Sequence, residues 1–157
     1  MQTFTCAVFG ANNSGKTSFI QRVCGNDSAN NSSTCILNRH DRTETGAHVL
    51  MPIQIDFIEM HGTPYLAPEF GTDFAIIAVD VSRSDTLTGI ADLCQSVARY
   101  ANEVVIVAMK SDIKHANLNY ADIQKLCHNS YIEWISVSSY TGEQVYTPLH
   151  ILLDYSL

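Results

Sequence analysis

Short runs rich in Val, Ile, Phe and Ala recur along the chain, separated by polar or helix-patterned stretches. TFTCAVFG (3–10) predicts a buried strand, and KTSFIQRVCG (16–25) predicts a helix with Phe19, Ile20 and Val23 on one face and Gly25 as its stop. NDSANNSST (26–34) is a polar loop with almost nothing to bury. Residues 35–42 and 48–60 read as the arms of a hairpin around Thr43-Glu44-Thr45-Gly46, and Pro52 places one end of the second arm at a sheet edge. FAIIAVDV (74–81) and EVVIVAMK (103–110) are unbroken apolar runs of the kind buried parallel strands show. Between them SDTLTGIADLCQSVARY (84–100) predicts a helix capped by Ser or Asp, with Leu87, Ile90, Leu93, Cys94 and Val97 at helical spacing. NYADIQKLCH (119–128) predicts a further helix and YIEWISVS (131–138) a strand. QVYTPLHILLDY (144–155) predicts a closing helix, provided Pro148 falls in its first turn. This alternation predicts one α/β domain over 1–157, a mostly parallel central sheet of about six strands with helices on both faces.

Composition narrows the function classes. With 46% hydrophobic residues the chain is globular, and a formal charge of −7 with nine scattered basic residues argues against a nucleic-acid surface. A bound polyanion therefore has to be held by backbone N–H groups, a metal ion and a few placed cations. Cys6, Cys24, Cys35, Cys94 and Cys127 lack CxxC spacing and read as reduced thiols packed as small apolar residues. The histidines show no paired-ligand pattern, so a structural zinc site is not expected. No signal-peptide pattern, membrane-length apolar run, myristoylation glycine or prenylatable cysteine is found, which predicts a cytoplasmic protein without an intrinsic membrane anchor.

GANNSGKT (10–17) matches G-x-x-x-x-G-K-[ST] and lies between a predicted strand and a predicted helix, the context that the pattern needs. Gly10 and Gly15 let the backbone curl so that the amides of Asn12, Asn13, Ser14, Lys16, Thr17 and Ser18 form an anion nest. The helix start adds its positive dipole end. Lys16 is placed to reach the β- and γ-phosphates, and the Thr17 hydroxyl to ligate Mg²⁺. The pattern implies the P-loop NTPase fold.

Over essentially its full length the chain resembles the Ras superfamily of small GTPases, in particular the Ras and Rab branches. GANNSGKT, the threonine of NSSTC (31–35), IDFIEMHG (55–62), AMKSD (108–112) and VSSYTG (137–142) carry the resemblance, in order and at plausible spacing. It implies GTP/GDP and Mg²⁺ as cofactors. It also implies that Asp112 accepts hydrogen bonds from guanine, that Lys110 lies along the base and braces the phosphate loop, and that Ser138, Ser139 and Tyr140 stand at the base. Thr34, with Ser33 as substitute, is implied to close onto Mg²⁺ and γ-phosphate, and Glu59 to hold the metal. Gly62 is implied to sense the γ-phosphate. Effectors and regulators are implied to bind through residues 30–45 and 60–73.

The chain also departs from that family. Glu59 stands in place of an Asp, which predicts a shifted metal; Thr63 in place of the water-orienting Gln and Asn12, which adds bulk near the γ-phosphate, both predict slow hydrolysis, and His61 is a candidate substitute for positioning water. Met109 replaces the base-contacting Asn, predicting the loss of one or two hydrogen bonds. TPYLAPEFGTD (63–73) is short and carries Pro64 and Pro68. A divergent GTP-binding switch, of a signalling or vesicle-trafficking type, is the first reading. A scaffold that binds guanine nucleotide without cycling, or binds none, is the second. A small-molecule kinase is the third, and it lacks the arginine-bearing lid such enzymes need.

Overall fold

The computed structural model describes residues 1–11, 13–25, 33–60, 71–87, 89–111, 120–130 and 132–156. Five sequence-predicted site residues, Asn12, His61, Gly62, Thr63 and Asp112, lie outside that set.

Six strands form one sheet in the order β2-β3-β1-β4-β5-β6. They are β1 (Gln2–Gly10), β2 (Thr34–Arg42), β3 (His48–Glu59), β4 (Thr72–Asp80), β5 (Ala101–Met109) and β6 (Glu133–Ser136). Only β2 runs antiparallel, paired with β3 from Thr34↔Asp56 to Arg42↔His48; the other pairings are parallel. The helices are α1 (Lys16–Val23), α2 (Ile90–Val97), α3 (Tyr120–Ser130) and α4 (Thr147–Ser156).

The unbroken apolar runs become the central strands because both of their faces are covered. Phe74, Ile76 and Ala78 of β4 join a core layer with Phe19, Ile20 and Val23 of α1 and Leu149, Leu152 and Leu153 of α4. Ala75, Ile77 and Val79 face the other layer, with Ile90, Cys94 and Val97 of α2 and Ile123 and Cys127 of α3. Helices therefore cover both faces, as the sequence predicts. All five cysteines are free, four of them buried in these layers, and burial pushes the Cys35 thiol up to about 11. Pro52 does sit where one side of β3 is open: β1 pairs with β3 only from Ile53 onward.

Two boundaries differ from expectation. The predicted 84–100 helix is broken into a 3-10 turn, Ser84–Leu87, and α2. Gly89, at φ 76, is left-handed and interrupts the i to i−4 ladder, so α2 opens on a glycine rather than on a Ser or Asp cap. The predicted 131–138 strand is paired only over Glu133–Ser136. Pro148 does fall in the first turn of α4, where its missing N–H costs no helical bond.

Candidate nucleotide site

The carboxyl ends of β1, β4, β5 and β6 meet at one edge of the sheet, and the strand order reverses about β1, the place where α/β folds bind ligands. Gly10 ends β1 at φ 148; a side chain there would lie 2.5 Å from the Ala78 carbonyl oxygen. Asn13 (φ 61) and Gly15 (φ 103) turn the loop through left-handed conformations, and Ser14 N donates to Ala11 O at 3.2 Å. Gly15 caps α1 without a side-chain bond, so the first amides of the helix are not consumed by a cap. The loop folds back on its own lysine: Lys16 Nζ donates to Gly10 O (2.5 Å) and Ala11 O (3.2 Å). Burial lowers the Lys16 pKa from the usual lysine value, and the nearby Glu59 carboxylate opposes that shift. Among the described residues the buried Ser14 Oγ makes no hydrogen bond.

Across the loop, Thr17 Oγ1 donates to Glu59 Oε1 at 2.6 Å. One hydroxyl and one carboxylate are the hard oxygen donors Mg²⁺ takes from a protein when phosphate and water supply the rest. The extra methylene of Glu59 relative to Asp lets the carboxylate reach Thr17 from the end of β3.

Thr34 is not brought to this pair. It opens β2 opposite Asp56, and its hydroxyl donates to Asp56 Oδ1 at 2.8 Å. Strand alternation puts Asp56 on the sheet face opposite the one shared by Ile55, Phe57 and Glu59. Ser33, the substitute, offers its carbonyl to Phe57 N at 2.7 Å.

On the other flank, Lys110 follows β5 at φ 64, a conformation that costs a non-glycine residue on the order of 1 kcal/mol. Its ammonium donates to Asp80 Oδ2 at 2.6 Å and to Asn13 O at 3.2 Å, which joins the β4 end, the β5 turn and the phosphate loop. Asp80 is buried; burial pushes its carboxyl up, but bonds from Lys110 and Ser82 outweigh this and hold it below the ordinary aspartate value. Sequence reasoning passed over Asp80, although a carboxylate ending an otherwise apolar strand was the available signal. Met109, where the resemblance implies a base-contacting Asn, has a packing role. Its side chain is 1% exposed and lies under the loop, 3.4 Å from where a Gly15 Cβ would be, so it supports Gly15 by packing.

The loop after β6 closes on itself. Ser138 N donates to Glu143 O (3.1 Å), Gly142 N to Ser138 O (2.8 Å) and Thr141 N to Ser138 Oγ (3.1 Å). Arg22 of α1 reaches Thr141 O at 3.4 Å. Ser111 N donates to Val137 O (3.0 Å), which sets this loop beside Lys110. Ser139 is half-buried and Tyr140 is 86% exposed.

A cleft of about 580 Å³ lined by Asn13, Gly15, Lys16, Thr17, Ser18, Glu59 and Lys110 lies between these flanks, within the size range of ligand sites. A larger hollow of about 910 Å³, with Glu103, Lys125 and Trp134 among its walls, lies at the opposite ends of β5 and β6. The smaller cleft is the one bordered by the curled loop and its lysine, so its chemistry is the one that fits a phosphate. Among the described residues no helix is long and apolar enough to cross a membrane.

A search of curated proteins returns no match. The profile described as the Ras family matches residues 5–155, nearly the whole chain. With that match over a curled loop, its lysine and a six-stranded mostly parallel sheet, the chain belongs to the Ras family of GTP-binding small GTPases.

Proposed function

We propose that this chain, as one domain over 1–157, is a GTP-binding switch with slow, Mg²⁺-dependent hydrolysis. The observation that carries the reading is the loop from Gly10 to Thr17, curled through left-handed Asn13 and Gly15 with Lys16 at its centre and Thr17 bonded to Glu59. In this reading the amides of Asn12 to Ser18 hold the phosphates and Lys16 takes charge from the β- and γ-oxygens. Thr17 and Glu59 hold Mg²⁺, which supplies neutralisation of developing phosphate charge when bound. Lys110, Asp112, Ser138, Ser139 and Tyr140 hold guanine. Gly62, Thr63 and His61 stand near the attacking water. Thr34 completes the metal shell only if β2 releases it from Asp56, because a pre-formed sheet contact has to break first.

Effectors and regulators would engage residues 30–45 and 60–73, in a cytoplasmic signalling or trafficking role without nucleic acid and without an intrinsic anchor. That Thr34 contact also favours a second reading, a scaffold that holds guanine nucleotide without cycling. Heating the purified protein and identifying what it releases separates the two. GDP supports a cycling enzyme, intact GTP a locked scaffold, and no nucleotide contradicts the binding role of the loop.

A further inference from the structure

The geometry points to Asp80 as a positioning residue that sets the base side of the cleft through Lys110. The inference rests on the reading of the cleft as a guanine-nucleotide site and deepens it.

A carboxylate buried to 1% exposure at the end of β4 is costly unless it is matched, and here three bonds match it. Lys110 Nζ donates to Oδ2 (2.6 Å), while Ser82 N (2.9 Å) and Ser82 Oγ (2.5 Å) donate to Oδ1. The backbone at Asp80 is fixed as well. Asp80 N donates to Thr86 Oγ1 (3.0 Å), and that buried hydroxyl bonds back toward Asp80 O (3.1 Å) and Arg83 O (2.8 Å). The carboxylate therefore has a fixed place from which to hold its partner.

That partner is the strained residue. Lys110 adopts φ 64 without being glycine, and strain of this kind persists only where surrounding contacts over-determine it. The contacts are Asp80 Oδ2 and Asn13 O, both accepting from the ammonium. The turn they fix leads the chain from β5 to Ser111, whose N is tied to Val137 O. Met109 makes its contact with Gly15 through carbon and sulfur, so the Lys110–Asn13 bond is a polar link from this turn to the phosphate loop. Asp80 neutralises and aims that link.

The test is the dissociation rate of a fluorescent GDP analogue, with Mg²⁺, from wild type, Asp80→Asn, Lys110→Met and the double variant. Removing one partner of a buried charged pair acts on the off-rate, so Asp80→Asn is expected to speed release roughly 10- to 100-fold. The double variant should release nucleotide within about threefold of Lys110→Met alone, because both changes cut one contact. Affinity for inorganic tripolyphosphate, held by the loop's own amides and Lys16, should fall by a smaller factor than GDP release speeds up. A Ser82→Ala variant keeps the ion pair and should speed release about two- to fivefold, which decides the matter should Asp80→Asn not fold. Unchanged release in Ser82→Ala and Asp80→Asn, additive effects in the double variant, or an equal loss of tripolyphosphate affinity would each overturn the assignment. If wild type itself takes up no GDP, the nucleotide reading goes, and this inference with it.

Discussion

Lys16 and Lys110 stand on opposite flanks of one cleft, and their charges are handled in opposite ways. Lys16 is buried against two carbonyl oxygens, which accept its hydrogen bonds without neutralising it, and desolvation lowers its pKa. Lys110 is matched by a buried carboxylate 2.6 Å away. The phosphate flank thus meets its cation chiefly with neutral carbonyls, the Glu59 carboxylate offsetting only part of the desolvation, so a polyanion gains more there than beside the paired Lys110. Where charge is left open, binding energy is stored for the ligand; where charge is closed, shape is stored instead.

Replacing the two lysines should separate these roles. Lys16→Ala should weaken GDP and GTP binding by about 10²- to 10³-fold, since a charge-assisted contact to phosphate is lost. The same change should leave the ligand-free melting temperature unchanged or slightly raised, because a desolvated ammonium goes with it. Titration calorimetry and thermal melting report the two halves of that prediction. Lys110→Met should do the reverse to stability. It leaves Asp80 buried and partly unpaired, at a cost of about 2 kcal/mol, discounted from the fully buried range because Lys110 is itself part-exposed. Urea unfolding of the ligand-free variant measures it, and a variant as stable as wild type would remove the basis of the comparison.

Met109→Asn puts back the amide that the family resemblance implies at this position. Because Met109 is buried under Gly15, the exchange should destabilise the chain by about 1–2 kcal/mol and leave GDP affinity no better than in wild type. Tighter GDP binding by this variant would show that the position still reaches the base.

The smallest effects are in pH. Asp80 is held below its ordinary value of 3.8, so its ionised form contributes stability that is full above that value and is lost as pH falls through the lower folded one. The stability gap between wild type and Asp80→Asn should therefore narrow in acid. Lys16 titrates below its usual 10.5, so at alkaline pH the folded chain sheds its proton before the unfolded chain does. Stability should rise slightly there while nucleotide affinity falls, and Lys16→Ala should show neither change. Chemical unfolding and calorimetry at matched pH values test both.

What could be read from sequence was whatever is local. GANNSGKT is contiguous, and its strand, loop and helix context follow from neighbouring residues alone. The central strands were equally plain, because a run such as FAIIAVD tolerates no other placement than burial on both faces. Thr34 was less legible. Whether it belongs to a loop or to a strand depends on hairpin register, which pairs it with Asp56, 22 residues away. Asp80 was missed for the same reason, since its partner lies 30 residues on and only the sheet brings them together. Gly89 shows a third limit: helical spacing of apolar residues continued through 84–100, but one left-handed glycine ended the ladder.

The most direct measurement is calorimetric titration of the purified chain with GTP, GDP and ATP in the presence of Mg²⁺. The account predicts saturable binding of GDP and GTP at micromolar concentration or below, with ATP weaker by about a hundredfold or more. Binding of neither guanine nucleotide at millimolar concentration, or an affinity for ATP that equals or exceeds that for GTP, would contradict it.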